Sequence, residues 1–160
     1  MRKHGRRVNP RGTSILIADD HEMARRGFRA ILESEPDLHV VAEAGDGREA
    51  IEKAKLCVPD VILMDIGMSE MNGVEATRRL QKELPDTEVL IVTMYLSVEL
   101  LKAAVQAGAK GYLLKTDVDS ELVSAIHSLC RHQPYFSPRV VAVQDGEFHA
   151  TGDRHRWRPQ

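Results

Sequence analysis

Long apolar runs are missing from this sequence, and with them a membrane span: no stretch approaches the roughly 20 residues a helix needs to cross a bilayer. The basic N-terminus is not followed by an apolar segment, so it does not read as a secretory signal. A cytoplasmic location is the expectation by default. Cysteine is scarce. The two, Cys57 and Cys130, fall on apolar helical faces and read as reduced core thiols, not as a disulfide framework. They have no zinc-type spacing with the seven histidines. Net positive charge is missing from the middle of the chain. Arg2, Lys3, Arg6, Arg7 and Arg11 crowd the first 13 residues, and Arg154, Arg156 and Arg158 stand near the end. Between these ends lie 14 basic and 23 acidic residues, a charge near -9, which argues against a nucleic-acid-binding core. Internal repeats and low-complexity tracts are absent too.

What is present suits one ordinary domain. The chain has 160 residues, 42% of them hydrophobic, enough to bury a proper core. Four short runs are apolar on both faces and rich in β-branched residues: Ile15–Ala18, Val61–Met64, Val89–Val92 and Gly111–Leu114. A fifth, Leu38–Ala42, is more mixed. Such runs suit buried parallel strands. Helical periodicity fills the gaps. The expected faces are Ala24, Gly27, Phe28 and Ile31; Ala50, Ile51, Ala54 and Cys57; Val74, Thr77, Leu80 and Leu84; Leu100, Leu101, Ala104 and Val105; and Leu122, Val123, Ile126 and Cys130. Asp46, Asn72, Ser97 and a residue near Asp117 are placed to open the last four, and Gly108 to close the fourth.

Strict β-α alternation, five times over, predicts an α/β fold with a parallel sheet between helical layers. Right-handed crossovers make it a doubly wound, flavodoxin-like (βα)5 sandwich of five strands in the order 2-1-3-4-5. The expected organisation is a basic tail over 1–13, the folded domain over 14–133 and an extension over 134–160. The pattern stops after Val143, so the stretch containing Trp157 reads as a disordered or loosely docked tail.

Chemistry gathers at the strand ends. The first strand ends in Asp19-Asp20 and the third in Asp65, and this topology makes those strands neighbours. Three carboxylates brought together repel one another, and a divalent cation relieves the conflict. Oxygen-only ligands select a hard ion such as Mg2+. The fourth strand ends in Thr93 and the fifth in Lys115, a hydroxyl and an ammonium suited to holding an anion. Each feature alone has an ordinary explanation as a strand-end residue; all four strand ends carrying one is not expected by chance. His21 follows the acid pair but reads as the start of the first helix, not as a ligand.

Several dispersed segments resemble the receiver domains of two-component response regulators. They are Ile17-Ala18-Asp19-Asp20-His21, Asp65-Ile66-Gly67-Met68, Met71-Asn72-Gly73, Val92-Thr93-Met94-Tyr95 and Gly108-Ala109-Lys110-Gly111-Tyr112-Leu113-Leu114-Lys115. Their order and spacing fit the NarL/LuxR-type branch of this CheY-like family, and Pro134-Tyr135-Phe136-Ser137-Pro138 resembles the end of that branch's receiver. The resemblance implies a phosphoacceptor, not a turnover enzyme. Asp65 would take a phosphoryl group from a sensor histidine kinase. Asp20, Asp65 and the Gly67 carbonyl would hold Mg2+, with Asp19 acting mainly through water. Lys115 and Thr93 would bind the phosphoryl oxygens. Tyr112 would turn inward as Thr93 is drawn to the phosphoryl group, with homodimer formation as one outcome.

Departures from the pattern are few. Ser69 stands where the family usually has proline, which should loosen the loop. Met94 and Tyr95 are bulky beside the pocket, and Met94 is expected to slow dephosphorylation by an outside phosphatase. Nothing among the 17 residues after Val143 reads as a recognition helix, so specific DNA binding by these residues is not expected. A stand-alone receiver and a fragment of a transcriptional regulator both remain open. Two other functions on the same architecture fit less well. An aspartyl-phosphate phosphatase typically carries a second acid two residues after its nucleophile, where Gly67 stands here. A flavin-binding domain would need a hydroxyl-rich loop in place of Asp19-Asp20.

Overall fold

The computed structural model describes residues 11–151, with side chains over 11–146. Its elements are β1 (Thr13–Ala18), α1 (Glu22–Glu33), β2 (Leu38–Ala44), α2 (Gly47–Cys57), β3 (Val61–Met64), α3 (Gly73–Glu83), β4 (Glu88–Thr93), α4 (Val98–Ala107), β5 (Gly111–Leu114), α5 (Val118–Cys130), β6 (Tyr135–Phe136) and α6 (Pro138–Thr151). All strand pairs are parallel, in the order β2-β1-β3-β4-β5-β6.

The five expected strands and their order are present. The central β1, β3 and β4 are buried on both faces, as unbroken apolar runs require. The mixed run is the edge strand β2, whose outer side meets solvent at His39 and Val41. Three helices start where a side chain caps the first turn: Asp46 accepts from Glu49 N, Asn72 from Glu75 N and Ser97 from Leu100 N. Gly108 closes α4 at φ 109°, a left-handed conformation that only glycine adopts without strain. On α1 the buried positions are Phe28 and Leu32, whereas Gly27 faces solvent.

Two features correct the expectations. The sheet has a sixth strand, and the stretch after Val143 is helical as far as Thr151, not an aperiodic tail. A two-residue strand is too short to show a period. It forms because the free edge of β5 pairs with it, Gly111 opposite Tyr135 and Tyr112 opposite Phe136. Helix α6 packs against α4 and β5, with Val140 fully buried. The remaining parts of the two basic ends, including Arg2 to Arg7 and Trp157, lie outside the described residues.

The core is two apolar layers, one on each face of the sheet. One joins Ile15, Ile17, Leu63 and Val92 to α1 and α5; the other joins Leu16, Ile62, Met64 and Ile91 to α2, α3 and α4. The carboxyl ends of β1, β3, β4 and β5 therefore lie along one edge of a packed slab. Among the described residues no helix is long and apolar enough to cross a membrane.

Candidate functional site

Parallel pairing aligns the strand ends. Asp19 N donates to Ala44 O and Asp65 N to Ala18 O, so the two acids continue the sheet by one residue beyond β1 and β3. Both are buried: Asp19 is fully inaccessible and Asp65 is 4% exposed. Lys115, just past β5, reaches across β4's end to both. Its Nζ stands 2.7 Å from Asp19 Oδ2 and 3.0 Å from Asp65 Oδ2. Burial pulls the Lys115 pKa down, but the Asp19 and Asp65 carboxylates outweigh it and hold the value above the ordinary one. Lys115 is therefore an ammonium throughout the physiological range.

Asp20 is the more exposed acid. One ligand atom from each of Asp19, Asp20, His21 and Asp65 lies within 4.8 Å of the others. Three carboxylates and one ammonium leave two negative charges uncompensated. The buried Asp19 Oδ2 accepts no hydrogen bond, the ion pair with Lys115 aside. A half-buried oxygen-rich cluster with this surplus charge fits a hard divalent cation.

The loop after Asp65 is shaped by contact. Gly73 opens α3 pressed against the Asp65 main chain, where a Cβ would meet Asp65 O at 2.0 Å. Its N–H donates to Ile66 O, and the Thr77 hydroxyl donates to Gly73 O. Between these points Glu70 adopts φ 63°, next to the exposed Ser69. The Gly67 N–H donates to Asp65 Oδ1 at 3.4 Å. The Tyr95 ring lies over Gly67, and a Cβ there would come within 2.9 Å of it. Met94 points to solvent and is 60% exposed.

Thr93 and Tyr112 meet at Tyr95. The fully buried Thr93 Oγ1 accepts from Tyr95 N at 3.4 Å, and the Tyr112 hydroxyl donates to Tyr95 O at 2.5 Å. Tyr112 thus already occupies the inward position expected only after phosphorylation, with no exposed surface. A buried phenol needs an acceptor, and the Tyr95 carbonyl supplies it. Burial, and then the charge of Asp65, push the Tyr112 pKa well up.

All the expected polar groups stand at one sheet edge, and two residues were not singled out as part of it. His21 does open α1, but its Nδ1 lies 3.3 Å from Asp19 Oδ1 and 2.9 Å from Asp20 Oδ1. Arg25, one turn on, donates from a guanidinium nitrogen to Asp19 O at 2.6 Å and from Nε to Glu43 Oε1 at 3.2 Å. It ties the acid pair to the end of β2. Its signal in the sequence was the four-residue step from His21, which puts both on one helical face.

Residues 15–127 match the family model of the response regulator receiver domain. The transcriptional regulatory protein LiaR of Bacillus subtilis is 40% identical over 127 residues, 79% of this chain and 60% of that protein. The response regulator protein VraR of Staphylococcus aureus is 39% identical, over 79% of this chain and 61% of that protein. The chain thus spans about 60% of the length of these curated relatives. Among solved structures, a two-component response regulator of the LuxR family from Aurantimonas sp. SI85-9A1 superimposes with a TM-score of 0.81 at 32% identity, covering 85% of this chain and 98% of that one. The signal receiver domain of NarL from Mycobacterium tuberculosis does so with a TM-score of 0.73 at 32% identity, over 76% and 98%.

Proposed function

This chain belongs to the response regulator receiver family of two-component signalling, and from that premise we propose that Asp65 is its phosphoacceptor. The observation that carries the reading is the Asp65 carboxylate itself. It is nearly buried at the end of β3, paired with the Lys115 ammonium and flanked by Asp19 and Asp20. A carboxylate oxygen of Asp65 attacks the phosphorus of a phosphohistidine on a sensor kinase, or of a small phosphodonor. The bond from phosphorus to the leaving group breaks, P–N in phosphohistidine or phosphoramidate and P–O in acetyl phosphate. A new P–O bond to Asp65 forms, the imidazole, ammonia or acetate departs, and the product is an acyl phosphate on Asp65.

Phosphoryl transfer is mostly positioning and charge compensation. Lys115 exchanges its Asp65 contact for a phosphoryl oxygen while remaining beside Asp19. The Thr93 hydroxyl donates to a second oxygen. Asp20, Asp65 and the Gly67 carbonyl would hold Mg2+, with Asp19 acting mainly through water, and the ion would supply the remaining positive charge. Gly67 leaves room at the pocket mouth, and the Tyr95 ring over it limits the approach of water. Tyr112 couples the pocket to α4 and β5: moving Thr93 toward the phosphoryl group shifts the Tyr95 main chain that holds the phenol. The outcome is a population shift between two packings of this face, read by a partner or a second copy of the chain. The signalling unit spans 14–133 and works in the cytoplasm; β6 and α6 are appended to its edge.

The test is intact mass after incubation with acetyl phosphate or phosphoramidate and Mg2+, for wild type and Asp65→Asn. A gain of one phosphoryl group in wild type alone is expected. A gain retained by Asp65→Asn, or absent from wild type with both donors, overturns the assignment.

A further inference from the structure

We propose that Arg25 is a positioning residue for the phosphoacceptor site, bracing the Asp19–Asp20 peptide so that the Asp20 carboxylate is held toward the ion. The proposal rests on the acidic pocket's being the cation site of the proposed phosphoacceptor, and Arg25 is not a ligand in it. Asp20 is the acid that needs a brace. Asp19 and Asp65 each continue a strand, their N–H groups bonded to Ala44 O and Ala18 O. Asp20 is exposed, past the end of β1 and before the start of α1, and among the described residues no main-chain bond holds its N–H. Its direction is set by the peptide that joins it to Asp19. The oxygen of that peptide, Asp19 O, accepts from Arg25 Nη1 at 2.6 Å, and no main-chain N–H among the described residues donates to it.

The other arm of the guanidinium ends outside the pocket. Arg25 Nε donates to Glu43 Oε1 at 3.2 Å. Glu43 is itself a fixed anchor. Its Oε2 accepts from Arg29 Nε at 3.1 Å and Nη2 at 2.8 Å, and its main-chain oxygen accepts from Lys53 Nζ. It sits on β2 opposite Ile17 of β1, two residues before Asp19. Arg25 is thus a strut from the edge strand to the loop, with a side chain only 20% exposed. The planar fork of arginine spans two acceptors at a fixed spacing, which an ammonium on a flexible stem does not. Charge alone works against this residue, because a cation close to a cation site repels the ion. An arginine that raises Mg2+ affinity in spite of that repulsion acts through geometry.

The experiment measures Mg2+ binding to the unphosphorylated full chain by calorimetry, and the Mg2+ dependence of phosphorylation from acetyl phosphate by intact mass. It uses wild type, Arg25→Gln, Glu43→Gln and the double variant. Arg25→Gln is expected to weaken Mg2+ by about tenfold, the lower end of what losing a supporting group does to a metal site, and to raise the half-saturating Mg2+ for phosphorylation by the same factor. The rate at saturating Mg2+ should change far less. Glu43→Gln, which keeps Arg25 and serves if Arg25→Gln does not fold, is expected to weaken Mg2+ in the same direction but by less. The double variant should be no weaker than Arg25→Gln, since both changes remove one strut. Unchanged or tighter Mg2+ binding in folded Arg25→Gln, which charge alone predicts, overturns the proposal. So does full additivity in the double variant, or a loss confined to the rate at saturating Mg2+. If wild type shows neither Mg2+ binding nor Mg2+-dependent phosphorylation, the underlying reading fails, and the proposal with it.

Discussion

The two faces of the sheet are built from different materials. Toward α1 and α5 the core is Ile15, Ile17, Phe28, Leu32, Leu38, Leu63, Val92, Leu113, Leu122 and their neighbours, apolar throughout and without methionine. Toward α2, α3 and α4 it contains Met64, Met68 and Met71, a run of alanines on facing helices, and Tyr112 with its hydroxyl bonded to a loop carbonyl. Branched aliphatics and Phe have few rotamers and fix one packing. Methionine is unbranched and adapts to more than one, and alanine leaves neighbouring helices free to slide. The contrast teaches which side of the molecule can carry a two-state change. Under the proposed function, the α1–α5 face would serve as the anchor and the face bearing Tyr112 would be the one that repacks.

Substitutions at matched depth break or sharpen this contrast. The largest effect is expected on the anchor. Leu122→Ala removes a fully buried side chain and should cost about 2–5 kcal/mol in urea unfolding. On the other face Met64→Ala, equally buried, should fall at the low end of that range, because Met68 and Met71 of the same cluster can adapt around the gap. Comparable losses at the two sites would mean that the faces are equally rigid.

Next comes Gly73→Ala, at the junction of that face with the site. Its Cβ has nowhere to go but into Asp65 O. A destabilisation of about 1–3 kcal/mol is expected, together with slowed phosphorylation from acetyl phosphate, because the main chain that must yield is that of Asp65. Unchanged phosphorylation in a folded variant would show that the loop relaxes elsewhere.

The smallest effect, and the most specific, concerns Tyr112→Phe. The variant loses one hydrogen bond, about 1 kcal/mol near neutral pH. The pH dependence separates it further. Burial and Asp65 raise the phenol above its ordinary 10.0 in the folded state. Past about pH 10 the unfolded chain releases that proton first, so the stabilisation present below that pH is lost as pH rises. Phenylalanine does not titrate. The gap between wild type and Tyr112→Phe should therefore narrow in alkaline solution. A constant gap would mean that Tyr112 is not buried as a neutral phenol.

Much of the fold was legible because burial imposes period and composition. β1, β3 and β4 are covered on both faces and had to be unbroken apolar runs. Asp46, Asn72, Ser97 and Gly108 had to stand at helix ends because free N–H groups and a left-handed turn need them. The strand-end chemistry was legible for the same reason: a parallel sheet collects its carboxyl ends on one edge, so Asp19, Asp65, Thr93 and Lys115 needed only to be counted along their strands. β6 was not legible, since Tyr135 and Phe136 are a strand only by virtue of an edge that belongs to β5. Nor was α6, whose weakly amphipathic sequence shows little period. His21 and Arg25 look like ordinary helix residues until β1 and β2 are side by side.

The sequence by itself determined the layered α/β architecture, the order of the strands and the identity of the polar groups at their ends, because each follows from local pattern and the handedness of the chain. Only the tertiary structure decided how those groups pair. That Lys115 bridges Asp19 and Asp65, that His21 Nδ1 closes on the acid pair, and that Tyr112 lies inward on the Tyr95 carbonyl are facts of ångström-scale distance between segments far apart in the chain. Periodicity cannot specify them. Packing against a dense core, where each side chain has few places to go, does.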